Sequence, residues 1–419
     1  MSSSEVDILR SMDDEPDTPS KVDIWRAIDT GRRQKKRRRA AGYAGAAAVT
    51  ALAVAGTAIA AGAFASKASP QVAASKASAT VKPKPAYTIP GTPGWHAPAV
   101  TAPTSCTLEQ APIPDHLKMA LISGADPTGH YQVGRSYPKD GYQAVVWHDG
   151  TATNALLPGD LEESLRDVNS TGTAVGWSYA ASGDSAFAVP YAYRDGKATR
   201  LAGTGRGSAL AINDAGAIVG DDDKGTALVW PSLTARPIKL PVPAGTSKAT
   251  ANGIDEDGTV VGSLDEEKPY VWFADGTHRR LPMPDLGGKP ALIAQAFDIR
   301  NGWVTGMASP ASAKDARGKS SARVWAVRWN LRTGEVQAVD KLQYPADSVN
   351  AQGWQIGNDK QGYAVMVTDA GTIRLPDLAA HNADGTSTIA NAVSDDGRTI
   401  AGQSDDASGT IKPVIWRCH

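Results

Sequence analysis

Four acidic runs are the most concentrated chemistry in the chain: Asp221-Asp222-Asp223, Asp265-Glu266-Glu267, Asp359 and Asp405-Asp406. Converging carboxylates can hold a cation or meet a basic ligand. They can also serve as acid and base in glycoside cleavage, for which the pair must stand about 5–9.5 Å apart in a cleft. Lys224, Lys268 and Lys360 are interspersed with them, so the plainer reading is solvated loop charge. Arg135, Tyr137, Trp177 and Tyr179 hold comparable places in the repeat described below. They offer cationic and aromatic contacts for a sugar or peptide. The acids of Asn213-Asp214, Asp255-Glu256-Asp257 and Asp395-Asp396 read as turn formers, because the D-x-D-x-D spacing of a calcium loop is absent.

Other chemistry is thin. The seven histidines (His96, His116, His130, His148, His278, His381 and His419) show no metal-ligand spacing. No Walker loop, G-x-S-x-G or metalloprotease helix occurs. The glycine-rich Gly203–Gly207 stretch lacks the strand-to-helix setting of a phosphate cradle. Neither a metal site nor a cofactor is expected. The 43 basic and 44 acidic residues give a formal net charge of -1, which argues against a wholly basic nucleic-acid binder. Two cysteines, Cys106 and Cys418, exclude a four-thiolate zinc site and a disulfide-dense small fold.

The elements that would position these residues repeat along the chain. An apolar residue, a polar turn, Gly, a β-branched pair and a second Gly recur as DVNSTGTAVG (167–176), AINDAGAIVG (211–220) and GIDEDGTVVG (253–262). The second Gly falls at 134, 176, 220, 262, 306, 357 and 402. An aromatic-ended segment follows most units, as in ALVW (227–230) and PVIW (413–416), and then a Leu or Leu-Pro. Each unit reads as four short strands, a to d, joined by tight turns. One such sheet cannot bury both faces; stacking the sheets radially does so. Four strands in ~43 residues match a propeller blade. The expected fold is all-β, a seven-bladed β-propeller over residues 105–419. The b-to-c connections would emerge together around the central channel, carrying the acidic runs with them.

Ring closure gives a sharper expectation. The last unit stops after its strand c, at Trp416-Arg417-Cys418-His419, and the segment from Cys106 can supply the missing outer strand. Cys106 and Cys418 would then lie side by side, and an oxidising setting permits a disulfide.

Ile212-Asn213-Asp214-Ala215-Gly216-Ala217-Ile218-Val219-Gly220 and Ala227-Leu228-Val229-Trp230 resemble the HAF-type extracellular repeat of bacterial proteins, which is β-propeller-like. Pro284-Asp285-Leu286-Gly287-Gly288 is similar to that family's Leu-Gly-Gly ending. The namesake His-Ala-Phe is replaced here by Gln143-Ala144-Val145 or Lys268-Pro269-Tyr270. The resemblance implies a fold and carries no activity with it.

The N-terminal quarter differs in kind. Residues 1–30 hold eight acids and three bases, residues 31–39 hold seven bases, and residues 40–65 hold no charge. About 20 apolar residues suffice to cross a bilayer, and a basic flank fixes the inner side. The expectation is an acidic and basic cytoplasmic tail (1–39), a transmembrane helix (40–65) and a Pro/Ala/Ser stalk (66–104). The bulk of the chain would then be extracellular on a single-pass anchor. Ala63-Phe64-Ala65 leaves cleavage after Ala65 as the alternative. This arrangement resembles the start of many actinobacterial single-pass membrane proteins. Val22, Trp25 and Ile28 share one face of a short helical pattern. It is either a disordered tail with transient helicity or a docking segment for a cytoplasmic regulator, with Trp25 as anchor.

The function expected from these residues is a non-catalytic binding or sensing module meeting a surface polymer, peptide or protein, with no nucleic-acid partner. An envelope enzyme acting on polysaccharide and transmembrane signalling through residues 1–30 are the alternatives.

Overall fold

The β-branched pair in each repeat does two jobs, because successive side chains of a strand point to opposite faces. Ile218 packs with Val175, Leu201 and Trp230 on one side of its sheet, while its neighbour Val219 packs with Ala251, Val260 and Trp272 on the other. Val260 and Val261 divide in the same way between two cores. A computed structural model describes residues 99–139, 141–159, 163–180, 187–310, 324–381 and 387–419. Among them the strands form seven four-stranded antiparallel sheets, each running a-b-c-d from one edge to the other. Seven apolar clusters fill the seven junctions between successive sheets. Strand a of every sheet contacts strand a of the next, and the seventh contacts the first. The seven-bladed propeller is therefore the observed architecture.

The innermost strands are Ala120–Ala125, Glu163–Val168, Gly207–Ile212, Ala249–Ile254, Ile293–Arg300, Tyr344–Val349 and Thr388–Val393 in blades 1 to 7. Each breaks register with strand b at a bulge, as between Ala251 and Gly253. The second Gly of the repeat lies opposite this region. A Cβ on Gly220 or Gly262 would stand 1.9 or 1.8 Å from a strand-a carbonyl oxygen, so only glycine permits the approach.

The strand-c tryptophans join blades in series. Trp147, Trp230, Trp272, Trp329 and Trp416 are buried. Each indole donates to a carbonyl just beyond strand d of the preceding blade: Pro112, Ala202, Pro241, Pro282 and Pro376, at 2.6–2.8 Å. Blade 2 places Tyr193 at this point, and blade 6 places Val367.

Blade 7 takes strands a, b and c from the C-terminal end of the chain and strand d, Cys106–Gln110, from ahead of blade 1. Cys106 lies opposite Cys418 in the antiparallel register, and the two form a disulfide across 312 positions. Residues 99–104, assigned by composition to the stalk, lie against blade 7: the Thr104 amide donates to the His419 carbonyl, and Val100 and Ala102 pack on the blade 6–7 core.

The expected single-pass anchor is corrected. No helix among the described residues is long and apolar enough to cross a membrane. Their helical element, Pro114–His116, is three residues long, against the ~20 a span requires. Residues 40–65, the tail with Trp25 and residues 66–98 lie outside the described residues. The transmembrane helix, the membrane and cytoplasmic-regulator partners and the extracellular single-pass localisation are withdrawn.

Candidate functional site

The two ends of the ring are built differently. At the end carrying the a-to-b turns, polar side chains are spent on neighbouring blades. Asn169 donates to the Asn213 carbonyl at 3.0 Å, Asn213 to Asp255 at 3.1 Å, Asn301 to Ala351 at 2.8 Å and Asn350 to Asp395 at 3.4 Å. The Asp255 carboxylate accepts the amides of Asn301 and Gly302 at 3.0 and 2.7 Å. Asp214 and Glu256 accept backbone amides from the blade before. The turn acids thus act as turn formers that also tie blades together.

Arg300 occupies the inner rim at this end. Its guanidinium grips Asp395 of blade 7 through Nε at 2.9 and 3.0 Å and Nη2 at 2.6 Å, and its Nη1 meets Glu256 of blade 4. Arg300 belongs to blade 5, so with blade 6 intervening the side chain reaches across the rim. Burial alone would lower its pKa, but Asp395 and Glu256 outweigh it and hold the group charged.

Two further acids line the inner strands. Asp167 accepts the Val168 amide and, at 2.8 Å, the Ile212 amide of the next blade. Asp298 accepts the amides of Ile299 and of Val349 in the next blade. Burial pushes Asp167 up to about 7, and burial together with Asp167 pushes Asp298 up to about 8. Blades 2 and 5 thus bring carboxyls towards one another inside the ring, both engaged by backbone amides. Ser123, Asn252 and Asn391, at bulges, likewise bond carbonyls of the next innermost strand at 2.7–2.8 Å.

The opposite end carries the b-to-c and d-to-a connections and every candidate residue expected there. The acidic runs prove local. Asp222 accepts the amides of Lys224 and Thr226, and Asp223 pairs with Arg206 at 3.8 Å. Asp265 accepts the amides of Ser247 and Lys248 and pairs with Lys268 at 3.2 Å, while Glu266 pairs with Lys248 at 3.6 Å. Asp359 accepts the amides of Gln361 and Tyr363 and lies 3.9 Å from Arg374. Asp406, pulled down to about 2 first by the Ser408 hydroxyl, pairs with Lys412 at 3.4 Å. Burial and Asp406 push Asp405 up to about 6. Asp221 pairs in register with Ser208 and Ala227, and Glu267 donates its amide to Leu264. Among the described residues no group of three or more potential metal ligands forms.

The cationic and aromatic candidates are grouped in blades 1 and 2. Arg135 ends strand b of blade 1 and donates from Nε to the Tyr137 hydroxyl at 3.0 Å. Its guanidinium carbon stands 5.4 and 4.8 Å from the ring centres of Tyr137 and Tyr142, which meet edge-on at 5.1 Å. Trp177 and Tyr179 follow at the same places in blade 2, both half-buried. Arg206 covers Phe187 at 4.3 Å nearby.

Sequence reasoning singled out Arg135 and Tyr137 but missed Tyr142, Arg206, Phe187 and the whole Arg300 rim. The departure of Arg300 from the Asn, Asp or Ser that opens this turn in the other blades was the available signal for the rim.

No family model matches the chain, so membership of the HAF-repeat family is not assigned, and no curated protein matches it. Several solved propellers are similar in fold. One is YCF48 bound to a D1 peptide, at 10% identity and TM-score 0.44, covering 76% of this chain and 98% of that one. The Neurospora crassa Pan2 WD40 domain gives 11%, 0.47, 77% and 98% in the same terms. BamB from Moraxella catarrhalis gives 12%, 0.36, 75% and 99%.

Proposed function

We propose that the chain is a non-catalytic binding module that meets its ligand on the end of the ring formed by the b-to-c and d-to-a connections. One observation carries this reading. The a-to-b end is built from side chains committed to neighbouring blades, whereas the loop end carries half-buried cationic and aromatic residues that differ from blade to blade. A ring whose scaffold repeats while one end varies is suited to hold a ligand by several dissimilar contacts. Most acids of that end are engaged by amides and bases of their own or the adjoining connection, which favours recognition over acid–base chemistry. The test is binding of the full chain to a glycan and peptide array. The reading expects saturable binding that weakens with Trp177→Ala and Arg206→Gln and persists with Arg194→Gln or Asp275→Asn in the c-to-d turns. Binding lost only through the c-to-d changes would overturn it.

A further inference from the structure

We propose that Arg135, Tyr137 and Tyr142 form a subsite for a carboxylate attached to a ring or apolar group. The inference rests on the binding reading above and names the chemistry of one of its contacts. Arg135 is half-buried, and no carboxylate among the described residues pairs with it. The neighbouring cations of this end contrast with it: Arg206, Lys248, Lys268, Arg374 and Lys412 each face an acid within 4 Å. Among the described residues only Nε of Arg135 makes a hydrogen bond, to the Tyr137 hydroxyl. The two terminal nitrogens keep the fork that matches a carboxylate with two parallel hydrogen bonds.

The two rings do more than fill space. Their faces and edges hold the guanidinium in place, so little side-chain freedom is lost when an anion arrives. They also displace water from around the charge, which strengthens any pairing made there. Burial raises Tyr137 above the ordinary tyrosine value, so its hydroxyl stays protonated. The two terminal nitrogens are then the donors that meet the acceptor group, and the Tyr137 hydroxyl fixes the guanidinium through Nε. The rings present apolar surface beside it, which suits a group with a ring or hydrocarbon next to its charge.

Charge selects a singly charged anion. The subsite offers one guanidinium, and Asp221–Asp223, Asp265–Glu267 and Asp405-Asp406 stand on the same end of the ring. A doubly charged phosphate would meet more repulsion for the same pair of hydrogen bonds.

The experiment is saturation-transfer NMR on the full chain with two acids, methyl glucuronoside and N-acetyl-alanyl-alanine, their methyl esters, and methyl phosphate, whose methyl protons report the doubly charged anion. The expected result is saturation of at least one acid and none of the esters or methyl phosphate. The responding acid says whether a sugar or a peptide end supplies the group. Arg135→Gln should weaken that acid roughly tenfold or more, the scale of a lost charge-assisted pair. Tyr137→Phe keeps the ring and should weaken it several-fold, which covers the case in which Arg135→Gln fails to fold. Silence of both acids at tens of millimolar, equal response of the esters, or unchanged binding by both variants overturns the subsite. Array binding that survives Arg135→Gln would leave the broader binding reading standing while removing this contact from it.

Discussion

Cys106 and Cys418 face one another across adjacent antiparallel strands and are bonded, so the outer strand of blade 7 is tied to the strand that ends the chain. The closed loop spans the whole propeller. Loop-closure reasoning assigns such a link up to about 5 kcal/mol, and removal of native disulfides commonly costs ~2–5 kcal/mol. Neither thiol should label with an alkylating reagent unless reductant is present. Cys106→Ser with Cys418→Ser should lower the thermal midpoint by roughly 5–10 °C, read by calorimetry. Labelling of both thiols without reductant would sink the closure.

Arg300 is the cation shared by two buried carboxylates on the inner rim. Arg300→Met should cost about 3–5 kcal/mol in denaturant unfolding, because Glu256 and Asp395 are left buried and unpaired. Adding Glu256→Gln and Asp395→Asn should recover part of that loss. A single variant within 1 kcal/mol of the parent (a small change on this scale) would show that the rim does not depend on the pairing.

Asp167 and Asp298 give stability a pH dependence of definite sign. An unfolded aspartate titrates near ~3.9, whereas in the ring the two are pushed up to about 7 and about 8. The folded state keeps protons that the unfolded chain has lost. The stability they contribute is therefore complete below about pH 4 and is lost as pH rises through 7 to 8. Asp167→Asn with Asp298→Asn should flatten unfolding free energy across this range and raise it above pH 8. An unchanged profile would contradict the assignment.

Two glycines of similar appearance in the sequence should respond oppositely to alanine. A Cβ at Gly262 would meet the Thr250 carbonyl oxygen at 1.8 Å, whereas one at Gly205 meets nothing within 4 Å. Gly262→Ala should cost about 3 kcal/mol or more, and Gly205→Ala should stay within ~0.5 kcal/mol. Equal effects would show that the second repeat glycine has no packing role.

The same contrast explains what could be read from the sequence. Gly262 recurs every blade because backbone geometry forces it, and Trp230 recurs because its indole must reach the preceding blade. Repeated constraints leave repeated letters, so the blade count, the strand order and the cysteine pairing were legible. Arg300 occurs once, Asp167 and Asp298 hold one place in only two of the blades, and their bonded partners in other blades lie 44–95 positions away. No local pattern marks them. The acidic runs are conspicuous along the chain but close on turn amides and nearby bases, as Asp222 does with Thr226. Arg135 and Tyr137 were found because both closely follow the second repeat glycine, Gly134, where the b-to-c connection begins, whereas Tyr142 lies at the far side of that connection. The charge pattern of residues 31–65 suggested a membrane span, but the described residues are strands, and their three-residue helical turn is far too short to cross a bilayer.

On the proposed function, the ligand meets the end formed by the b-to-c and d-to-a connections. Amide hydrogen exchange of the full chain, with and without a ligand taken from the array, tests it most directly. Protection concentrated in the connections around 136–143, 200–207 and 222–227, with the a-to-b turns at 213–217 and 255–259 unchanged, is the result this account expects. Protection confined to the a-to-b turns would contradict it.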